Sequence, residues 1–132
     1  MKRLDGKVAI VTGASQGMGE AHARNMVLHG AKVVMTDINA EAGGAIAKDI
    51  GDDALFVSHD VTSPEGWQRV LEAAESAFGT VNVLVNNAGI LGGLAATTEF
   101  PLEEFNMVCN VNQTGVFLGM QTVLPGMIAA GG

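Results

Sequence analysis

Residues Lys7–Asp37 read KVAIVTGASQGMGEAHARNMVLHGAKVVMTD, and the fold follows from how this stretch divides. Val8–Thr12 is a nearly continuous apolar run rich in β-branched residues, the pattern of a central strand buried on both faces. Gly13, Gly17 and Gly19 follow at once. A helical pattern then covers Gly17–His29, and Gly30 stands where a C-cap glycine belongs. A second unbroken apolar run, Lys32–Thr36, ends on Asp37. Strand, glycine-rich turn, helix, strand, acid is the opening βαβ unit of a sheet that binds a dinucleotide.

The glycine spacing is GxxxGxG. Gly13 permits a tight exit from the strand. Gly17 leaves out a Cβ where a pyrophosphate would approach, and Gly19 lets the helix pack closely. Free backbone N–H groups and the positive end of the helix then receive the phosphates. Ser15 adds a hydroxyl, and Gln16 and Met18 complete the turn. Asp37 lies 18 residues beyond Gly19. Its carboxylate suits the two ribose hydroxyls of an adenosine and repels a 2′-phosphate. Gln16 is neutral where a phosphate site wants a base, and no Lys or Arg follows Asp37 and Ile38 closely. These features point to NAD rather than NADP.

Downstream, the alternation continues. A helix is expected over Ala40–Ile50, with an apolar stripe of Ala42, Ala45, Ile46 and Ile50, stopped by Gly51. A third strand covers Ala54–Ser58. Ser63 as N-cap and Pro64 at the first helical position open a helix to Phe78, which buries Trp67, Val70, Leu71, Ala74 and Phe78. A fourth strand, Val81–Val85, closes on Asn86-Asn-Ala-Gly89. A loop leads to a long helix over Leu102–Ala129, with a kink expected at Pro125. Four strands and four helices in alternation give an α/β fold with a parallel, Rossmann-type sheet; if the chain switches direction after strand 3, the order is 3-2-1-4, with the crevice between strands 1 and 4. The fourth strand is then an apolar edge that wants a neighbour, so the pattern reads as a sheet truncated before strand 5. The whole chain, 1–132, is expected to form one partial NAD-binding domain.

Composition excludes several classes. Seven basic and 14 acidic side chains give a net charge of −7. The basic residues are scattered and none follows Arg69, so no nucleic-acid surface is expected. No stretch is long and apolar enough to span a membrane. Cys109 is the single cysteine, which fits a reducing, cytoplasmic compartment. His22, His29 and His59 form no catalytic or metal constellation, and no metal site is expected.

With Thr12-Gly-Ala-Ser-Gln-Gly-Met-Gly19 and Asn86-Asn-Ala-Gly89 both present, the chain resembles the classical short-chain dehydrogenases/reductases over its whole length, as their N-terminal half. The resemblance implies that the first motif binds the pyrophosphate. It implies that Asn87, Ala88 and Gly89 support the sheet and a cofactor ribose, and that Asp60-Val61 borders the adenine. Asn110-Val-Asn112-Gln-Thr-Gly115 is similar to the family's Asn-x-x-Gly stretch and places Asn112 at the catalytic asparagine, which holds a water linking the catalytic lysine to solvent. The implied reaction is hydride transfer between NAD and a small-molecule alcohol or ketone such as a hydroxysteroid, sugar or small secondary alcohol. The parent is expected to be a homo-oligomer, a dimer or tetramer, with the long helix between subunits.

The family places its catalytic serine after strand 5 and a Tyr-x-x-x-Lys pair on the next helix. This sequence has no tyrosine and no lysine beyond Lys48. The 132 residues alone are therefore expected to be inactive. The alternative is a catalytically inactive nucleotide-binding or interaction module.

Overall fold

The computed structural model describes residues 2–132. Its elements are β1 (Val8–Thr12), α1 (Gly17–Leu28), β2 (Lys32–Asp37), α2 (Ala40–Ile50), β3 (Ala54–Ser58), α3 (Pro64–Phe78), β4 (Val83–Val85), α4 (Leu102–Cys109) and α5 (Gly115–Ala129), with a π-helical turn, Asn110–Thr114, joining the last two. The four strands are parallel, as the alternation of elements implies, and ordered β3-β2-β1-β4, the order expected of a chain that switches direction after β3. Ile10 lies between Val34 on one side and Leu84 on the other.

Period-two alternation sends β1 into two separate cores. Ala9 and Val11 join Val33, Met35, Ala23 and Ala47 on the face covered by α1 and α2. Val8 and Ile10 join Val34, Trp67, Val70, Ala74 and Val123 on the face covered by α3 and α5. Every residue of β1 is buried because it is central and covered on both sides. The three residues of β4 are half-buried, and among the described residues only β1 pairs with it.

Helix starts follow local chemistry. The Asn39 side chain accepts the Ala42 N–H at 3.1 Å, and Ser63 Oγ accepts the Gly66 N–H at 2.9 Å with Pro64 behind it. The buried side of α3 is as expected: Trp67, Val70 and Ala74 are buried, with Leu71 and Phe78 packed beside them.

Three expectations are corrected. In α2 the covered stripe includes Gly43 and Ala47, while Ala45 is exposed. The Phe56 ring lies so close to Gly43 that a Cβ there would come within 2.0 Å of Cε2. The fourth strand begins at Val83, because Asn82 Oδ1 takes the Val8 N–H at 2.7 Å and displaces a backbone carbonyl from that place in the ladder. The long helix stays helical through Pro125, and its departure from α geometry lies at Asn110–Thr114.

Helix α5 packs against α3 and the segments that follow β3 and β4 through glycine. A Cβ on Gly115 would stand 2.7 Å from Val61 Cγ2, and one on Gly119 would stand 2.7 Å from Trp67 Cη2 and 2.9 Å from Asn86 Oδ1. The indole is wholly buried and donates to the Val61 carbonyl at 2.9 Å, so it cannot give way. Gly119→Ala is therefore expected to destabilise the chain by about 1–3 kcal/mol through overpacking, measured by urea unfolding.

Candidate functional site

Strand order reverses at β1: the chain steps outward through β2 and β3, then returns to the other side of β1 as β4. Loops leaving the carboxyl ends of β1 and β4 must diverge there, and a crevice opens between them. Thr12 and Asn87 fix its floor. Thr12 Oγ1 accepts the N–H groups of Asn87 and Ala88, each at 3.0 Å. The Asn87 amide donates to the carbonyls of Thr12 at 3.0 Å and Gly13 at 3.1 Å. Above this floor lies an open cleft of about 730 Å³, within the range of ligand sites.

Gly13, Gln16, Gly17 and Met18 line one side of the cleft. Gly13 (φ +62°) has no room for a side chain, since a Cβ would lie 2.8 Å from Ala88 Cα. Gly17 (φ +56°) faces open space, with nothing within 4 Å of where its Cβ would be. Gln16 precedes α1 without a side-chain cap, in contrast to the capped α2 and α3, so the start of α1 points its amides at an uncommitted space. Gly19 packs beneath the turn, where a Cβ would meet the Gly13 carbonyl at 2.1 Å. Ser15 is buried and does not line the cleft. Its N–H instead donates to Asp37 Oδ2 at 3.1 Å.

Asp37 ends β2 at the cleft rim beside Ile38. Its second oxygen, Oδ1, accepts the Asn39 N–H at 3.0 Å, so two backbone donors fix the carboxylate. Asp60 and Val61 lie on the next turn of the wall. Asp60 Oδ1 accepts the Thr62 N–H at 2.9 Å and hydroxyl at 2.7 Å, which holds its carboxyl below the usual carboxylate range. Ala88, Gly89 and Ile90 line the opposite side with Met107, Asn110 and Val111. Asp37 and Asp60 are the charged lining residues, and no Lys or Arg lines the cleft among the described residues.

Asn112 is not a lining residue. Its Oδ1 accepts the Ile90 N–H at 2.8 Å and its Nδ2 donates to the Ile90 carbonyl at 2.7 Å, so it controls a segment that does line the cleft. Gly115, three residues on, packs against Val61. Thr12 as the floor and Thr36 as a lining residue are not foreseen in the sequence, and His59, expected there only to lack a catalytic or metal role, also lines the cleft. The position of His59 directly before Asp60 was the available signal.

His59 is 3% exposed. Its Nδ1 lies 3.2 Å from Thr36 Oγ1, and its ring meets Trp67 edge-on at 4.6 Å between centroids. Nε2 is buried without a hydrogen-bond partner. Burial pushes the His59 pKa from 6.5 down to about 4; Asp60 opposes this and Arg69 adds to it. The folded chain thus binds this proton less tightly than the unfolded chain. The neutral ring's contribution is complete above pH 6.5 and is lost as the pH falls towards 4. In urea unfolding between pH 7 and 4, the wild type is expected to lose stability more steeply than His59→Asn; parallel slopes would contradict this.

Comparison with known proteins gives consistent matches. The family model for short chain dehydrogenase matches residues 7–132. A 3-alpha-(or 20-beta)-hydroxysteroid dehydrogenase of Mycobacterium tuberculosis is 47% identical over 129 residues, covering 98% of this chain and 49% of the relative. A 3-beta-hydroxysteroid dehydrogenase of Comamonas testosteroni is 43% identical over 131 residues, covering 98% of this chain and 51% of the relative. The crystal structure of a 3-ketoacyl-(acyl-carrier-protein) reductase from Brucella melitensis, complexed with NADH, superposes with a TM-score of 0.90 at 40% identity over 93% of this chain and 51% of that one. The chain spans about half the length of these relatives. A reversed sheet order, a glycine turn against an Asn-Asn-Ala-Gly strand end, and a family match from Lys7 onward together establish that the chain belongs to the short chain dehydrogenase family.

Proposed function

We propose that these 132 residues are the cofactor-binding half of an NAD-dependent oxidoreductase that moves a hydride between a secondary alcohol and NAD. The observation that carries this reading is Asp37: its carboxylate is fixed at the cleft rim by the Ser15 and Asn39 amides, beside the uncapped start of α1. A carboxylate there accepts both hydroxyls of an adenosine ribose and repels a 2′-phosphate. The absence of Lys or Arg among the described lining residues favours the same choice.

The residues fit such a cofactor. The open space at Gly17 and the first amides of α1 accommodate the pyrophosphate, with Gly13, Gln16 and Met18 around it and Ser15 and Gly19 beneath. Ile38, Asp60 and Val61 would hold the adenine, and the Asp60 carboxylate would accept from its amino group. Asn87, Ala88 and Gly89 would hold the second ribose. NAD, when bound, supplies the hydride acceptor or donor. The chain orients it along the cleft.

Asn112 is proposed as the catalytic asparagine from its place in the motif; its side chain fixes Ile90 in this half of the site. The sequence has no tyrosine, so these residues alone carry no candidate for the proton transfer that the family assigns to one. The names of the hydroxysteroid relatives support an alcohol or ketone substrate of that class. Phe117, Met120, Leu124 and Ile128 on α5 are all exposed, which supports a homo-oligomer. No helix among the described residues is long and apolar enough to cross a membrane. Half-buried, unpaired Cys109 supports a reducing, cytoplasmic setting.

Asp37→Ala is expected to weaken NAD binding about tenfold, the loss of hydrogen bonds to a charged group, and to narrow the gap between NAD and NADP. Titration of both cofactors measures it, and an unchanged affinity ratio would contradict the assignment of Asp37.

A further inference from the structure

The segment after Gly89 is held by polar clasps rather than by burial. Residues 89–99 are exposed throughout, and Leu91 is 89% exposed, so apolar packing does not fix the path of this loop. Two side chains eight residues apart on the α4–π stretch do. Asn112 takes both backbone groups of Ile90. Glu104 Oε1 accepts the Gly93 N–H.

Between the clasps, Gly92 adopts φ +75° and lies against α4; a Cβ there would approach Val108 Cγ2 at 3.0 Å and Phe100 Cζ at 3.2 Å. Gly89 and Ile90, at the near end of this strap, line the cleft, as do Met107 and Asn110 of the same helical stretch. Released at Gly93, the strap would be held at Ile90 by Asn112 alone, with Gly92 resting against Val108 and Phe100.

We propose that Glu104 is a positioning residue for the cofactor: by clasping Gly93, it presets the Gly89–Ile90 wall that receives the nicotinamide-riboside end. The inference rests on reading the cleft as a dinucleotide site. Glu104 itself does not line the cleft, so its effect passes through the strap. The adenosine and pyrophosphate end is built on the glycine turn and on Asp37 and Asp60, whose carboxylates are held by Ser15, Asn39 and Thr62 rather than by the strap, and that end is expected to be indifferent to Glu104.

Two ligands separate the ends: ADP reaches only the adenosine and pyrophosphate side, whereas NADH also needs the Gly89–Ile90 wall. Both are titrated against wild type, Glu104→Ala and Glu104→Gln, with amide hydrogen exchange read at Gly93. Glu104→Ala should weaken NADH about fivefold through lost preorganisation, leave ADP unchanged, and speed exchange at Gly93. Glu104→Gln, which keeps an acceptor oxygen, should restore NADH binding. Equal weakening of NADH and ADP, no change in NADH, or failure of the glutamine variant to restore it would each overturn the role of Glu104. A wild type that binds neither ligand would instead overturn the reading of the cleft, and the inference with it.

Discussion

The hydroxyl of Thr12, accepting the amides of Asn87 and Ala88, is the interaction on which the site depends. Two parallel strands whose following loops leave in opposite directions would otherwise splay and expose unpaired backbone groups at their ends. Thr12 and the Asn87 amide satisfy those groups reciprocally, across 75 residues of sequence. Gly13 and Gly19 then become obligatory, because the clasp draws Ala88 and the Asn87 amide into the space their side chains would need. The cleft is what remains above this closed floor.

The walls use the same economy. Backbone amides hold both carboxylate oxygens of Asp37 and one of Asp60, and the strap from Ile90 to Gly93 is fixed by Asn112 and Glu104. Preorganised donors and acceptors of this kind need little rearrangement when a ligand arrives. Behind the wall, buried His59 and Trp67 connect β2 to α3, and glycines 115 and 119 let α5 close over them. The faces away from the cleft differ: the outer edge of half-buried β4 pairs with no second strand, and the apolar residues of α5 stay exposed, within the described residues.

Much of this was legible in the sequence, for local reasons. Continuous apolar runs mark buried parallel strands, and Asn39, Ser63 and Pro64 mark helix starts by their own chemistry. Gly13, Gly17 and Asp37 stand out because their residue types suit special backbone or charge positions, whereas Asp60 is reached through the family resemblance. What was hidden depends on distant partners. Gly43 belongs to the covered stripe only because Phe56 lies over it, and Ala45 looks apolar enough to replace it. The π-turn at Asn110–Thr114 leaves no hydropathy signal. Thr12, His59 and Glu104 are ordinary polar residues until Asn87, Thr36 and Gly93 are brought to them.

The most direct measurement is amide NMR of the 132-residue chain titrated with NADH. Shifts should concentrate at Gly13, Gly17, Val61 and Gly89, the four corners of the cleft, and leave the exposed residues of α5 still. Shifts confined to α5, or none at saturating NADH, would contradict a dinucleotide site built on the β1–β4 divide.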